Sequence, residues 1–401
     1  MTNCAPEQHP RHPFPCACLL FSLVLSVTLT LTVSACSPGG SSPASSNHGT
    51  ATPTGSNSPT ATQTPQVLLG ARPCPDAVKA PSHWDTIIDA DVAHKGTEQV
   101  SCANLVGNPT LQALVTVTSG ASADLNVYVY DNIASNSPNQ IFKLAGLIDG
   151  ETKISGYNTV LTGEANPNSS INKGKSAAEF TVDLFREFKW SDAAGALVQT
   201  TFPGIYPDLT RYQAETDQAM VNQGQDFWKT TATQVASHLA MDLLKWPSAN
   251  ASVESGGGAS DTDAIILVTT SGPNKQVRVS LSRLEGNTNG GIWEAILVAI
   301  GTTPLITAPQ SRASVTSPVT VKGSSRNGGF EGVIGKVSIL DHLYTDIGHT
   351  TIHGSTTFSI SVTYTSSLNP GSAEEGVVVF YPDNPSGGAQ PAEMVKVLIS
   401  A

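Results

Sequence analysis

An apolar run that stops at a cysteine separates the start of this chain from the part that can build a folded core. Residues 19–33 are dominated by Leu, Val and Phe, Ser34 and Ala35 follow, and the run ends at Cys36. A basic start, an apolar centre and a small-residue cleavage site are the layout of a removed export signal. The run is shorter than the roughly 20 apolar residues of a membrane span. The sequence therefore predicts a signal peptide over residues 1–35.

The last residues of this segment, Val33-Ser34-Ala35-Cys36, resemble the bacterial lipobox. In that family of signals the cysteine thiol is diacylated and becomes the first residue of the mature protein. The resemblance implies lipidation of Cys36 and anchoring to the extracytoplasmic face of the cell membrane. Two acyl chains suffice for this, because each buried methylene contributes about 0.8 kcal/mol. An ordinary cleaved signal with an incidental cysteine is the alternative.

A polar, structureless segment is predicted directly after the signal. Residues 36–66 consist almost wholly of Ser, Thr, Pro, Gly, Asn and Ala. Such a composition cannot bury enough apolar area to offset the entropy of ordering the chain. We expect a disordered tether that lifts the folded domains away from the membrane.

The cysteine content predicts one disulfide. Three of the six cysteines belong to the signal peptide, and Cys36 would carry the lipid. Cys74 and Cys102 remain, and an even remainder in an exported chain is typical of a disulfide. Two free thiols or a redox pair are the alternatives, although a Cys-x-x-Cys spacing is absent.

Composition and length limit the possible fold classes and binding partners of the chain. Charged residues make up only 13% of the chain, the net charge is −11, and no Lys/Arg cluster occurs, which argues against a nucleic-acid partner. The length after the tether favours two or three domains. We predict a mostly β multidomain protein with an α+β domain at 67–200, a domain of a helical pair plus strands at 201–310, and an immunoglobulin-like β-sandwich at 311–401.

The first of these regions contains alternating segments. Leu125, Val127 and Val129 alternate with polar or aromatic residues, and residues 111–119 form a similar run, so both predict strands. The segment 183–192, DLFREFKWSD, suits either a short helix or a twisted strand.

The middle region is expected to hold two helices. Asp208 is a candidate cap for the first helix and Gly224 a candidate end in the left-handed conformation. Thr231 with Gln234 has capping-box spacing for the second helix, which Pro247 would stop. Residues 253–260 are predicted to be a loop, and three strands follow it.

The last region resembles the Gmad2 family, an immunoglobulin-like domain named from bacterial spore-germination proteins. The likeness rests on Ser317-Pro318, on Val321-Lys322-Gly323 and on Phe330-Glu331, and it extends over the segments 315–325, 330–341, 357–364 and 376–388. A His-containing segment, 341–355, departs from the family pattern. The resemblance implies a β-sandwich and a link to envelope or spore-germination biology, and it implies no catalytic residue.

Several residue pairs are functional candidates. His349 and His353 are four residues apart, which on a strand is about 13 Å and too far for one metal ion; a solvated loop is the favoured interpretation. Asp261 and Asp263 lack the longer ligand series of an EF-hand, so we expect a loop and a strand start.

Aromatic and charged side chains were the other candidates. Arg186 and Glu187 are interpreted as a surface ion pair flanked by core aromatics. A set of aromatic residues could line a sugar-binding platform, but core or domain-interface packing is favoured for it. The set is Trp190, Phe227, Trp228, Trp246 and Trp293.

The sequence has no GxSxG elbow, no HExxH and no GxxxxGK[ST] motif, and no SxxK motif in a setting that suits catalysis. We therefore expect a membrane-anchored, non-catalytic binding module of the cell envelope, without a cofactor or metal, whose partner is an envelope protein or cell-wall glycan. A cell-wall-directed enzyme with its site in the first two domains, and a small-ligand-binding lipoprotein, are the alternatives.

Overall fold

Strands outweigh helices throughout the folded part of the chain. The computed structural model describes residues 67–88, 94–119, 124–272, 275–285, 290–324, 333–353, 357–383 and 389–401. Strands account for 44% and helices for 11%, and the strands fall into several sheets. The prediction of a mostly β multidomain fold is confirmed.

The first region consists of one short helix and two four-stranded antiparallel sheets. The helix is α1 (Pro81–Trp84), the first sheet is β1 (His94–Ala103), β2 (Gln112–Ser119), β3 (Asp124–Asp131) and β4 (Asn139–Leu147), and the second is β5 (Glu151–Ile154), β6 (Val160–Glu164), β7 (Leu184–Ser191) and β8 (Ala196–Thr200). The strands predicted around 111–119 and 125–130 are confirmed. The segment left open between helix and strand is the strand β7.

Both faces of the first sheet are covered, which explains why β3 is buried along nearly its whole length. Leu125, Val127 and Val129 pack toward the second sheet with Val160. Tyr128 and Tyr130 face the other way, where they pack in the cluster that holds Trp84 of α1 and the two cysteines. The alternation in the sequence therefore separates two apolar layers rather than core from solvent.

The first helix of the middle region is α2 (Arg211–Asn222). Thr210 caps it, because its hydroxyl accepts from the Gln213 backbone N–H while the Gln213 side chain accepts from the Thr210 N–H. The predicted cap Asp208 is wrong, since that residue is buried and its backbone N–H donates to Glu294 instead. Gly224 follows the helix with a φ of +89°, in the left-handed conformation that was predicted.

The second helix is α3 (Ala232–Asp242). Its apolar positions recur at helical spacing and are buried, as Val235, Ala236 and Leu239 show. The predicted capping box is wrong, because the Thr231 side chain makes no hydrogen bond to the helix end. The helix also ends before Pro247, at Asp242.

A nine-stranded sheet joins the middle and last regions. Its members from the middle region are β9 (Asn250–Gly256), β10 (Asp263–Thr269), β11 (Gln276–Ser282) and β12 (Glu294–Ala299). The remaining strands are β13 (Ile306–Ala308), β14 (Ala313–Val315), β15 (Val319–Ser324), β16 (Val333–Leu340), β17 (Asp346–His353), β18 (Thr357–Val362), β19 (Ala373–Pro382) and β20 (Glu393–Ser400). The loop predicted at 253–260 is wrong in its first part, since β9 continues to Gly256.

The strand order of the large sheet is β17-β16-β19-β20-β12-β11-β10-β9, with β14 beside β20, while β13, β15 and β18 form a separate three-stranded sheet. The two faces of the large sheet follow from strand alternation. Val378 and Phe380 of β19 pack in the core that includes the small sheet. Val377 and Val379 pack in the core that includes α3. The large sheet is therefore the middle layer between α3 and the three-stranded sheet.

The boundary predicted between 201–310 and 311–401 falls inside this sheet. Val298 of β12 pairs with Met394 of β20 across it, and all described residues belong to one compact unit, Gln63–Ala401. In the part of the chain that the structure describes, no helix is long and apolar enough to cross a membrane.

Candidate functional site

A cleft of about 700 Å³ opens between the C-terminal end of α3 and the strands β16, β17 and β19. Its position follows from alternation along β16. Lys336, Ser338 and Leu340 face the cleft, whereas Val337 and Ile339, the residues between them, pack in the opposite core. We call this feature the tyrosine cleft, because three tyrosines line it.

The three tyrosines come from distant parts of the sequence. Tyr206 precedes α2, Tyr344 lies in the loop between β16 and β17, and Tyr381 is near the end of β19. The Tyr206 ring is buried and its hydroxyl hydrogen-bonds to the Asp242 carboxylate of α3. The Tyr344 hydroxyl donates to the Ile205 carbonyl at 2.6 Å. These two bonds fix the aromatic surface that a ligand would meet.

The charged groups of the cleft are arranged on its two sides. On the strand side the Asp346 carboxylate accepts from Lys336 Nζ at 2.8 Å and from Ser338 Oγ at 3.1 Å. On the helix side lie Asp242 and Lys245. The cleft therefore presents donors and acceptors on both sides of an aromatic base.

Protonation states in the cleft follow from this environment. Burial and the nearby Asp242 carboxylate raise the pKa of Tyr206, and burial with Asp346 raises the pKa of Tyr381. Partial burial opposes ionisation of Asp346, but the hydrogen bonds from Lys336 and Ser338 outweigh it and lower the pKa. At neutral pH the tyrosines are thus neutral hydrogen-bond donors and Asp346 is a carboxylate.

Aromatic surface continues beyond the cleft on the helical side. The Trp228 ring lies 6.3 Å from the Tyr206 ring and 4.3 Å from the His238 imidazole, measured between centroids. His238 Nδ1 is in turn 3.8 Å from the Asp242 carboxylate. Trp228 and His238 therefore lie beside Tyr206 and Asp242 of the lining, on the helical side of the cleft.

A buried pair of acids, Asp208 and Glu294, lies close to Tyr206 and Tyr344 of the cleft. The Asp208 backbone N–H donates to Glu294 Oε2 at 3.3 Å, and the exposed fractions of the two side chains are 6% and 0%. Burial raises the pKa of Asp208 to about 6, and it raises the pKa of Glu294 well above its usual value. Since both carboxyls are sealed inside the core, a substrate cannot contact them in this conformation.

A second buried cluster surrounds His342, in the loop that also carries Tyr344. His342 Nε2 is 3.2 Å from Asp183 Oδ2, and Nδ1 contacts Glu374 Oε2. Burial lowers the pKa of His342, but the hydrogen bonds with Asp183 and Glu374 outweigh this and raise the pKa to about 9. Of the residues described, Asp341, His342 and Glu374 form a group able to hold a metal ion.

The structure connects Cys74 to Cys102 in a disulfide, as the sequence predicted. Cys102 is fully buried in β1 and packs beside Trp84. Cys36 and the tether lie outside the described residues, as do Phe330 and Glu331 of the segment that resembles Gmad2.

The predicted pairing of Arg186 with Glu187 at the surface is wrong. The neighbours point to opposite faces of β7, and both are buried. Arg186 contacts Glu164, whereas Glu187 accepts from Arg211 at 2.8 Å. Each residue therefore pairs with a separate segment of the chain.

The predicted histidine pair, aspartate pair and aromatic set lie at separate places in the described structure. His349 and His353 lie exposed on the strand β17 rather than in a loop. Asp261 is in a turn and Asp263 begins β10, as predicted. Of the aromatic set, Trp246 and Trp293 are buried and Trp190 and Trp228 half-buried, whereas Phe227 is 62% exposed and departs from the predicted core role.

The cleft tyrosines and the His342 cluster could not be predicted from the sequence. Their members are separated by up to about two hundred residues and share no local motif. The loop segment containing His342 and Tyr344 gave only a weak signal, as a departure from the Gmad2 pattern. No protein-family model matches this chain. No curated protein matches it either.

Proposed function

We propose that this chain is an extracytoplasmic lipoprotein, anchored through Cys36, that binds cell-wall glycan in the tyrosine cleft without transforming it. The cleft is the observation that carries this proposal. Its volume of about 700 Å³ lies in the range of about 300–1,000 Å³ typical of ligand pockets. The predicted tether would let the folded part reach the wall from the membrane.

Glycan suits the chemistry of the lining. A sugar ring has apolar C–H faces and a rim of hydroxyls that donate and accept hydrogen bonds. The tyrosine rings supply flat apolar surface with polar edges. Asp346, Lys336 and Ser338 supply acceptors and donors beside them. Exposed carboxylates and lysines together also suit wall fragments, which carry peptide carboxyl and amino groups.

The polar groups of the cleft favour binding over catalysis. The Tyr206 hydroxyl is engaged by Asp242, and the Tyr344 hydroxyl by a backbone carbonyl. Asp346 is held as a carboxylate by Lys336 and Ser338. This arrangement fixes the lining in one geometry, which reduces the ordering cost of binding. A general base needs a pKa near the operating pH, and the lowered pKa of Asp346 is unsuited to that role.

The C-terminal part of the proposal rests on the resemblance to Gmad2. The β-rich fold of residues 311–401, with one sheet facing another across an apolar core, is compatible with an immunoglobulin-like sandwich. In this proposal the sandwich provides the strand side of the cleft, and its role belongs to the cell envelope.

Sedimentation with purified peptidoglycan sacculi tests the proposed binding. The full-length chain in detergent should co-sediment with sacculi in a saturable manner and release no soluble sugar or peptide fragments. Release of fragments that depends on the protein would instead support the alternative of a wall-directed enzyme. Absence of saturable sedimentation would contradict a glycan ligand.

Anchoring is tested separately from binding. Mass spectrometry of the membrane fraction should find acyl chains on Cys36, and Cys36→Ala should release the protein from the membrane. An unmodified protein in the soluble fraction of wild-type cells would contradict the anchor and leave the binding result unaffected.

A further inference from the structure

His342 brings together three acidic side chains in the interior of the protein. It is the second residue after β16, and its side chain is 3% exposed. Asp183 Oδ2 lies 3.2 Å from Nε2, on one side of the ring, and Glu374 Oε2 contacts Nδ1 on the other side. Asp341 is the third acid, and one ligand atom each of Asp341, His342 and Glu374 lie within 4.8 Å of one another.

The cluster carries more negative charge than its own residues neutralise. Asp183, Asp341 and Glu374 are all buried. Among the described residues, their ion pairs run only to His342, which offsets one carboxylate at most. Burying uncompensated carboxylates is costly. A bound cation of charge +2 would remove most of this excess.

The hydrogen bonds around His342 resemble those of a metal-binding histidine. Such a histidine donates its other ring N–H to a carboxylate, a backbone carbonyl or a water. Asp183 is placed for this role, because its Oδ1 accepts from the Asn166 N–H at 2.8 Å and the Asn172 amide at 3.1 Å, while Oδ2 faces His342 Nε2. The two ring nitrogens of His342 therefore face different acids: Nε2 faces Asp183 and Nδ1 faces Glu374.

The two ligating carboxylates are likewise held in place through one oxygen each. Asp341 Oδ1 accepts from the backbone N–H groups of Leu343 and Thr345, at 2.9 and 2.8 Å. Glu374 Oε1 accepts from Ser366 Oγ at 3.0 Å. Asp341 Oδ2 is not used by these two bonds, while Glu374 Oε2 and His342 Nδ1 contact each other. A cation at this position would displace the proton between Nδ1 and Oε2 and take both atoms as ligands.

We propose that Asp341, His342 and Glu374 bind one first-row divalent cation of the Zn²⁺ type, with Asp183 as a positioning residue through His342 Nε2. One imidazole with two carboxylates suits such a cation better than Ca²⁺, which prefers six to eight oxygen ligands. In a tetrahedral site with bonds of about 2.1 Å, donor atoms are about 3.4 Å apart. Small side-chain adjustments within the 4.8 Å cluster reach that spacing.

A cation here would fasten three segments that are distant in sequence. Asp183 directly precedes β7, Asp341 and His342 begin the loop after β16, and Glu374 belongs to β19. The same loop carries Tyr344 of the tyrosine cleft. The site would therefore hold the base of the cleft in position, and it goes beyond the proposed glycan binding without depending on it.

Zinc titration of the full-length chain tests the proposal. After EDTA treatment and removal of the chelator, calorimetry with ZnCl₂ should show one site that is lost in Glu374→Gln and in Asp341→Asn. Asp183→Asn should weaken zinc binding by about 10–100-fold, as expected for an outer-shell partner. The matched control is His349→Ala, an exposed histidine on β17, which should keep the site.

X-ray absorption at the zinc edge provides a second measurement that needs no variant. The wild-type protein with one equivalent of zinc should show one imidazole and otherwise oxygen ligands. A wild-type chain that binds no zinc, or a Glu374→Gln variant that binds it as tightly as wild type, would overturn the proposal. So would a first shell containing sulfur or more than one imidazole.

Discussion

Lys396 shows how single residues join segments of this chain. Its side chain is fully buried on β20, where Nζ donates to the Leu209 carbonyl at 2.6 Å and lies 3.3 Å from Glu375 Oε2. Burial lowers the pKa of Lys396, and Glu375 opposes this. The sequence of β20 gives no sign that its lysine is buried, because the partner that compensates the charge lies on the neighbouring strand β19.

Removal of one member of this pair should cost more than removal of both. Lys396→Met leaves the Glu375 carboxylate buried without its cation, and we expect a loss of about 3–5 kcal/mol in the free energy of unfolding. The double variant Lys396→Met/Glu375→Gln should recover part of it. Urea denaturation of the three proteins measures this, and equal losses in the single and double variants would contradict a coupled pair.

Buried carboxyls with raised pKa values predict that the free energy of unfolding falls as the pH rises. Burial raises the pKa of Glu285 to about 7, although Arg211 opposes it, and burial raises the pKa of Glu375 to about 7 against the effect of Lys396. Between the unfolded value of 4.5 and pH 7, the folded state thus binds more protons than the unfolded state. By linkage, stability falls as pH rises through this window.

We therefore expect a larger free energy of unfolding at pH 5 than at pH 7.5, by on the order of 2 kcal/mol. Glu285→Gln should reduce this difference, because the amide cannot ionise. Glu254→Gln, on the edge strand β9, is the control and should keep the wild-type profile. Urea titrations at several pH values give the answer, and a stability that rises from pH 5 to 7.5 would contradict the assignment.

At the level of secondary structure, α2 and α3 differ in how their first turns are capped. Thr210 takes part in a reciprocal capping box with Gln213, whereas the Thr231 side chain makes no bond to the start of α3. Both residues occupy the position before the first helical turn, so they form a matched pair for substitution.

Thr210→Ala should lower the free energy of unfolding by about 1 kcal/mol, because one backbone N–H of α2 loses its acceptor. Thr231→Ala should change it by less than about 0.5 kcal/mol. Thermal or urea unfolding of both variants measures the difference. Equal effects would mean that the capping box adds nothing to the stability of α2.

Periodicity identified most helices and strands, but it could not assign their ends. The period-two pattern around 125–130 predicted β3 correctly, and the second helix expected before Pro247 is α3. The two predicted N-caps were wrong because several Asp and Thr residues near a helix start have equivalent local patterns. Tertiary contacts chose among them, as the approach of Asp208 to Glu294 shows.

For the whole molecule, the decisive feature is that one sheet serves two cores. Leu340 and Met394 pack toward α3, while Val337 and Val397 pack toward the three-stranded sheet. A sequence reveals that such strands are apolar on both faces, but not which layers cover the faces. The tyrosine cleft shares this origin, since its two sides come from segments on either side of the predicted domain boundary.

The shared sheet makes a prediction about fragments. Residues 311–401 alone would expose the face that packs against α3, so we expect a less cooperative melt and association in solution. Residues 201–401 retain that cover and should melt cooperatively. Circular dichroism and light scattering of both fragments distinguish these outcomes, and a monomeric, cooperative 311–401 would instead support an independent domain.

Calorimetric titration of soluble peptidoglycan fragments into the full-length chain tests the central claim, glycan binding in the tyrosine cleft. The account predicts one saturable site per chain, with affinity reduced at least about tenfold by Tyr381→Ala, equivalent to roughly 1.4 kcal/mol. The control Phe227→Ala, which removes an exposed aromatic ring outside the cleft, should bind like wild type. Equal affinity of Tyr381→Ala and wild type, or no binding at all, would contradict the claim.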